Sequence, residues 1–456
     1  PAQRHTMKRK ARKEVRKPVN RRGFLLGVLA LTAETTLLRL SGIWMKGYIA
    51  ARLGSVQLGV YQLLCAVFAF GVVLSASGAS FVCTRLTAEH GPNRKTLLRC
   101  IALSLAVSGG AAVLLWLLAP GLGELLGEGL PLRILAVGLP FLSVCACLKG
   151  TFLAQGKTLA PMGAELFEQG IGILLSLWLL TRIPSPLCAL ALASTLSEIA
   201  SCLWMFFAWM HRFGRVCQGP PVPWREAVRV GGPVLAGAGL RSALSTLENL
   251  LIPQSLRALS GAAAAMASYG LLQGMVLPLL QFPAGLLSSA TTLLIPELAR
   301  SSAAGKRLRI QRISGRAFRM TLCFSFAAAA ATAVFAGPLC RLFYGNEEAA
   351  WLLRVLAPLI PLQYADSVVD GMLKGLDQQS FTLCCNLADA AARVVWCIFV
   401  VPRLGLFGYV LLLFFSEIGN AAFSITRLLR VSRAEVSPLW VLLPAGACIG
   451  LFWLCI

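Results

Sequence analysis

Charged side chains recur inside stretches that are otherwise apolar. Glu34 and Arg39 sit in the first such stretch and Arg241 and Glu248 in the seventh, while Asp366, Asp370 and Lys374 follow at i, i+4 and i+8 in the tenth. Glu165 and Glu168 fall in the fifth, Asp389 and Arg393 in the eleventh, and Glu198 and Glu417 in matching Ser-Glu pairs of the sixth and twelfth. An ionisable group at a bilayer centre costs about 2.5–3.5 kcal/mol on insertion scales, so it faces a cavity or a partner. The chemistry on offer is the binding of ions and charged head groups rather than bond-making. The sequence has no phosphate-cradling P-loop, no G-x-S-x-G and only three His. Its 15 Cys are scattered without a C-x-x-C, as packing residues rather than a metal site or disulfide framework. No cofactor and no metal are expected.

Spacing assigns these charges to faces. Arg241 and Glu248 are seven apart and share one face of a helix; Glu34 and Arg39, five apart, are read as lying roughly on one side. The first and seventh helices hold corresponding places, so all four are expected to line one central cavity. The alternative for Glu34 and Arg39 is a structural ion pair. The Asp366–Asp370–Lys374 stripe suits a cation or proton relay or a polar wall for a sugar, the alternative being an intrahelical Asp370–Lys374 pair. Asp389 and Arg393 are expected to pair with each other. Glu168 and Asp389 fall at matching positions as candidates for cation coupling. Glu198 and Glu417 read as scaffold residues, and Lys149, with no obvious acid, as reaching head groups.

The elements that carry these residues are membrane spans. The chain of 456 residues is 57% hydrophobic and only 13% charged, and its apolar runs are long enough to cross a hydrocarbon core of about 30 Å as helices. Spans are predicted near 23–48, 57–84, 97–119, 131–154, 160–181 and 186–211. After a Pro-rich link, GPPVPW, others follow near 227–256, 266–295, 317–340, 349–375, 380–401 and 405–429, with a further run at 438–456. The domains are then a basic arm (1–22), an N-lobe (23–218), a linker (219–226), a C-lobe (227–430) and an additional helix (431–456). No cleavable signal peptide stands out, and Met7 is a candidate start.

The net charge of +23 would suit a nucleic-acid partner, but its distribution speaks against one. Basic residues gather in alternate connections: the arm Arg4 to Arg22, the loop with Arg94, Lys95 and Arg99, the link with Arg212 to Arg229, and the loop from Arg300 to Arg319. Acids such as Glu124, Glu128, Glu347 and Glu348 fall between. This is the positive-inside pattern, with the N-terminus in the cytoplasm and a secondary attraction to anionic membrane lipids.

The two halves echo each other. Tyr61 to Glu89 is answered by Tyr269 to Glu297, LRILA at 132–136 by LRVLA at 353–357, and LSEIAS at 196–201 by FSEIGN at 415–420. Six spans per unit is an even number, so both units insert the same way. They are therefore expected to be related by a two-fold axis along the membrane normal, with a site between the lobes. The fold class is an all-α polytopic membrane protein of two six-helix lobes with an extra C-terminal helix.

RLSGIWMKGYIAARLG at 39–54 resembles the first helix of the lipid II flippase family, and QFPAGLLSSATTLLIPELA at 281–299 is similar to its eighth. The Tyr-Gln at 61–62 and Ala-Ser-Gly at 76–78 look more like the stage V sporulation protein B and polysaccharide-exporter branch. All belong to the multidrug/oligosaccharidyl-lipid/polysaccharide exporter superfamily, and the resemblance covers essentially the whole chain. It implies a MATE-like flippase fold and a cavity arginine at Arg39. A second first-helix arginine of the flippases falls at Met45, beside Lys46, which takes its place among the candidate binding residues, and another falls at Pro278. Thirteen predicted spans compare with twelve in the drug antiporters of the superfamily and fourteen in the flippases.

The expected function is an alternating-access exporter of a lipid-linked, undecaprenyl-type saccharide or peptidoglycan-type precursor in a bacterial cytoplasmic membrane, in envelope synthesis or sporulation. It is expected to work as a monomer, with Arg39, Glu34, Lys46, Arg241, Glu248, Asp366 and Asp370 toward substrate. Glu168 and Asp389 would couple to Na+, H+ or the membrane potential. Two alternatives stand beside it: a cation-coupled multidrug antiporter of the same superfamily, and a non-transporting scaffold for envelope or spore assembly.

Overall fold

The computed structural model describes residues 21–126, 129–213, 222–345 and 347–433 together with residue 446, and among these every regular element is a helix. Spans 1 and 2 follow one path, Arg21–Val72, broken at Gly54 (φ 74°, ψ 172°). Span 7, Trp224–Ser260, meets span 8 at Gly261 (φ 78°, ψ 166°) in the same way. That backbone region is essentially open to glycine alone, so one residue suffices to turn the chain at each place.

Span 2 continues through a π-helical stretch, Val73–Ser77, into Gly78–His90. Span 8 runs Ala262–Gly270, through π-helical Leu271–Val276 and Leu277–Gln281, then breaks at Phe282-Pro283 before Ala284–Ala303. The proline ring nitrogens of Pro278 and Pro283 offer no N–H to the preceding turns, and the helix widens before the first and opens at the second. Spans 3 to 6 are Arg94–Leu126, Leu130–Ala154, Leu159–Leu179 and Pro186–Phe213. Span 9 is Arg307–Val334, followed by a short helix, Ala336–Tyr344. Span 10 is bent by 55° between Glu348–Leu356 and Leu359–Gly375, where Pro358 interrupts the ladder. Spans 11 and 12 are Gln379–Phe399 and Val401–Ser432.

Among the described residues eight helices are long and apolar enough to cross a membrane, nine if the bent pair is one span. The first of these passes through Gly54 and so holds two spans. Leu159–Leu179 and Trp224–Ser260 are outside that set; they are the helices that carry Glu165, Glu168, Arg241 and Glu248 into the lobes. The run at 438–456 and the basic arm before residue 21 lie outside the described residues, as does most of the Pro-rich link.

The repeat reaches down to single turns. Span 4 ends with Lys157 N–H donating to Phe152 O at 3.0 Å around Gly156 (φ 68°). Span 10 ends with Gln378 N–H donating to Leu373 O at 2.9 Å around Asp377 (φ 61°), each position 221 residues later.

The lobes meet where span 2 crosses span 8. Leu58, Leu63, Tyr269 and Leu272 are buried there. A Cβ at Gly59 would strike the carbonyl of Met266, and one at Gly270 the carbonyl of Ser55, so only glycine allows this approach. The contact lies just inside the Gly54 and Gly261 turns. Toward the opposite end, where the basic loops are, both lobes hold cavities.

Candidate functional site: two polar chambers

The charges expected in one central cavity are divided between two. The first, about 560 Å³, lies within the N-lobe and is lined by Glu34 of span 1, Ser77 and Ser80 of span 2, Lys149 of span 4, Glu165 and Glu168 of span 5 and Glu198 of span 6. The second, about 590 Å³, lies within the C-lobe. Arg241 and Glu248 of span 7, Asp366, Asp370 and Lys374 of span 10, Asp389 and Arg393 of span 11 and Glu417 of span 12 line it.

Helix geometry explains the division. At 3.6 residues per turn, Glu34 and Arg39 point about 140° apart. Glu34 therefore turns into its own lobe, where it is buried, while Arg39 turns toward the other. Arg39 Nη1 donates to the carbonyl oxygen of Gln281 at 2.8 Å, and its side chain packs over Gly285. Neither an ion pair with Glu34 nor a place in either chamber is found. The break at Pro283 is what frees the acceptor: Tyr364 Oη donates to Leu280 O at 2.6 Å beside it. A related contact runs the other way across the seam, from Thr246 Oγ1 of span 7 to Ala66 O of span 2, at 3.2 Å. Lys46 lines neither chamber; it sits by Cys65, which itself hydrogen-bonds Tyr61 of span 2.

In the N-lobe chamber Lys149 lies 3.5 Å from Glu165 and 4.0 Å from Glu168. The expectation that Lys149 reaches head groups is corrected, because its acids stand on the next helix at positions that a reading of span 4 alone does not bring near. Oε2 of Glu198 is buried against the backbone of Gly138 with no hydrogen-bond partner among the described residues.

In the C-lobe chamber Arg393 binds Glu248, through Nε at 2.9 Å and Nη2 at 2.6 Å, and not Asp389. Ser416 of span 12 stands between: it accepts from Arg393 at 3.3 Å and donates to Asp389 at 2.7 Å. The expected Asp389–Arg393 pair is thus replaced by a longer chain, Glu248–Arg393–Ser416–Asp389. The partly buried guanidinium sends both Nε and Nη2 to one oxygen of the Glu248 carboxylate, and charge-assisted bonds of this kind are about twice as strong as neutral ones. Asp370 accepts from Asn386 at 3.4 Å, and no Asp370–Lys374 ion pair forms. Among the described residues Arg241 and Lys374 make no ion pair. Glu417 accepts from Gln363 at 3.2 Å, a bond to a neighbouring helix.

Glu168 and Asp389 occupy matching places, one in each chamber. The match extends along spans 4 and 10: Leu142, Cys145, Ala146, Lys149 and Leu153 line the first chamber, and Gln363, Asp366, Ser367, Asp370 and Lys374, each 221 residues later, line the second. The carboxamides of the C-lobe chamber (Asn249, Gln273, Gln281, Gln363, Asn386 and Asn420) are the functional residues that a reading of charges passes over. Their signal is present in the sequence, as amide side chains inside apolar runs.

Comparison with known proteins agrees with this architecture. Residues 25–302 match the family described as polysaccharide biosynthesis protein, and residues 240–399 match the MatE family. The chain is 24% identical over 415 residues to stage V sporulation protein B of Bacillus subtilis (strain 168), covering 84% of this chain and 79% of that protein. Its fold is similar to that of the lipid II flippase MurJ in an inward closed conformation, with a TM-score of 0.70 at 14% identity over 94% of this chain and 98% of that one. An inward-facing MATE transporter gives a TM-score of 0.65 at 19% identity over 88% and 96% of the two chains. With apolar helices long enough to cross a membrane and a charged chamber in each lobe, the chain is a multi-pass membrane protein that belongs to the polysaccharide biosynthesis protein family, within the multidrug/oligosaccharidyl-lipid/polysaccharide exporter superfamily.

Proposed function

We propose that the protein is an alternating-access flippase that carries a lipid-linked oligosaccharide or peptidoglycan-type precursor outward across a bacterial cytoplasmic membrane. The observation that carries the proposal is the pairing of a glycine-tight seal at one end of the lobes with two charged chambers toward the basic-loop end. Basic loops belong on the cytoplasmic side, so this arrangement corresponds to loading from the cytoplasm, with the N-terminus there too. Arg39, at the seam, is the cation in reach of an anionic diphosphate. Its partner is a neutral carbonyl, and a phosphate oxygen makes the stronger, charge-assisted bond.

Glu168 and Asp389 are the coupling carboxylates of this reading, one per lobe, for Na+, H+ or a response to the membrane potential. A potential supplies about 2.3 kcal/mol per charge per 100 mV, enough to bias the rocking of the lobes if net charge moves. The protein would act as a monomer among membrane lipids.

The acid excess in the N-lobe chamber favours a second reading, cation-coupled export of cationic drugs. Against it, none of the described lining residues of either chamber is aromatic, and aromatic faces are what bind organic cations. The deciding experiment is flipping in reconstituted vesicles, with undecaprenyl-linked saccharides set against drug cations. Translocation of the first without the second is the expected result; drug efflux alone would overturn the flippase reading.

A further inference from the structure

The two chambers have the same size and matching walls, but different linings. Six carboxamides face the C-lobe chamber, and none faces the N-lobe chamber among its described lining residues. Along spans 4 and 10 the matched positions change from Leu142 to Gln363, from Cys145 to Asp366, from Ala146 to Ser367 and from Leu153 to Lys374. On the sixth helix of each lobe, Ser201, buried and bonded within the N-lobe, corresponds to Asn420, which lines the C-lobe chamber. The fold does not need these polar groups, since the N-lobe builds the same wall without them. None of the six is fully buried; they face an open chamber, where their amide groups are within reach of a ligand's hydroxyls.

Part of the lining is a fixed floor. Tyr269 Oη donates to Asn249 Oδ1 at 2.9 Å, and Gln273 Nε2 donates to Tyr409 Oη at 3.1 Å. The rest is open to the chamber. Gln363 and Asn386 each spend their amide nitrogen on a carboxylate, leaving their oxygens, while Asn420 and the side chain of Gln281 have no hydrogen-bond partner among the described residues. An amide side chain offers donor and acceptor in one plane, and a hydroxyl needs both. The volume of about 590 Å³ lies within the range of small-molecule pockets, about 300–1,000 Å³.

We infer that the C-lobe chamber is the saccharide-reading compartment, taking a neutral or amino-substituted sugar head, while the diphosphate stays at the seam by Arg39. This rests on the proposed flippase function. Charge sets the sugar class: Glu248, Asp366, Asp370, Asp389 and Glu417 outnumber Arg241, Lys374 and Arg393, so a uronic acid is repelled and an amine is welcome. Connectivity sets the order of parts. Gln281 gives its carbonyl to Arg39 and its side chain to the chamber, so a head group held at Arg39 has its first sugar at the chamber's edge.

The test uses the full chain in nanodiscs. Binding of three soluble disaccharides, built from N-acetylhexosamine, from its free-amine form and from its hexuronic counterpart, is measured by calorimetry for the wild type, Asn420→Leu and Gln281→Leu. Both side chains lack partners, so their replacement orphans nothing. The N-acetyl and amine sugars should bind at least tenfold tighter than the uronate, and each variant should lose several-fold in sugar affinity. Uronate binding tightest, no sugar bound, or variants that bind as the wild type would overturn the assignment. Flipping of lipid-linked saccharide unchanged by both variants would sink it while leaving transport intact; saccharide binding without any flipping would sink the transport reading alone.

Discussion

The two chambers share a frame and differ in what covers it. In the N-lobe, four glutamates surround one lysine, and the rest of the wall on span 4 is Leu142, Cys145, Ala146 and Leu153. In the C-lobe the same frame carries a partly buried ion pair, a bridging serine and the amide lining. A few acids on a largely apolar wall suit a bare cation or a proton, whereas amides beside both signs of charge suit a polyol. On the proposed function, the C-lobe lining reads the cargo while one carboxylate in each lobe, Glu168 or Asp389, answers to the driving ion.

Several measurements would break or sharpen that contrast. The largest effect is expected at the seam between them: Arg39→Ala should abolish flipping with protein levels intact, because it removes the cation and spares both chambers; full complementation of a flippase-deficient host would remove Arg39 from the scheme. Next comes the ion pair present in only one lobe. Glu248→Ala leaves the partly buried Arg393 charge without its carboxylate and should cost up to about 3–5 kcal/mol, seen as a lower unfolding temperature in detergent. Glu34→Ala, in the other lobe and without an ion pair, should cost clearly less, and equal losses would erase the distinction. Gly59→Ala should hold the lobes apart at their glycine contact and raise labelling of a cysteine placed at Ser55 several-fold; unchanged labelling would mean that the seal tolerates a methyl group. Glu165→Gln is expected to have the smallest effect, about 0–1 kcal/mol, since the Lys149–Glu165 pair is partly solvated.

Much of this was legible before any coordinates. The apolar runs placed the helices, and the match of LRILA with LRVLA carried the register that later aligned the chamber walls. The partition of the charges was not legible, because it depends on helix rotation: a separation of five residues sends Glu34 and Arg39 to different lobes. Arg393 chose Glu248, 145 residues away, over Asp389 on its own helix, and Lys149 found acids on span 5. Such partners are fixed by the facing helix, on which the local pattern is silent. The carboxamides were visible all along, but a search for charge does not weigh them.

One consequence follows from the reversals at Gly54 and Gly261. Each spends a single residue, so spans 1 and 2, and likewise 7 and 8, are joined by a corner with no slack. A tilt imposed on one rod by its cargo must be handed to the next at once, as through an elbow rather than a rope. Lengthening either corner by a few flexible residues should let the protein hold its load while uncoupling that grip from the swing that delivers it.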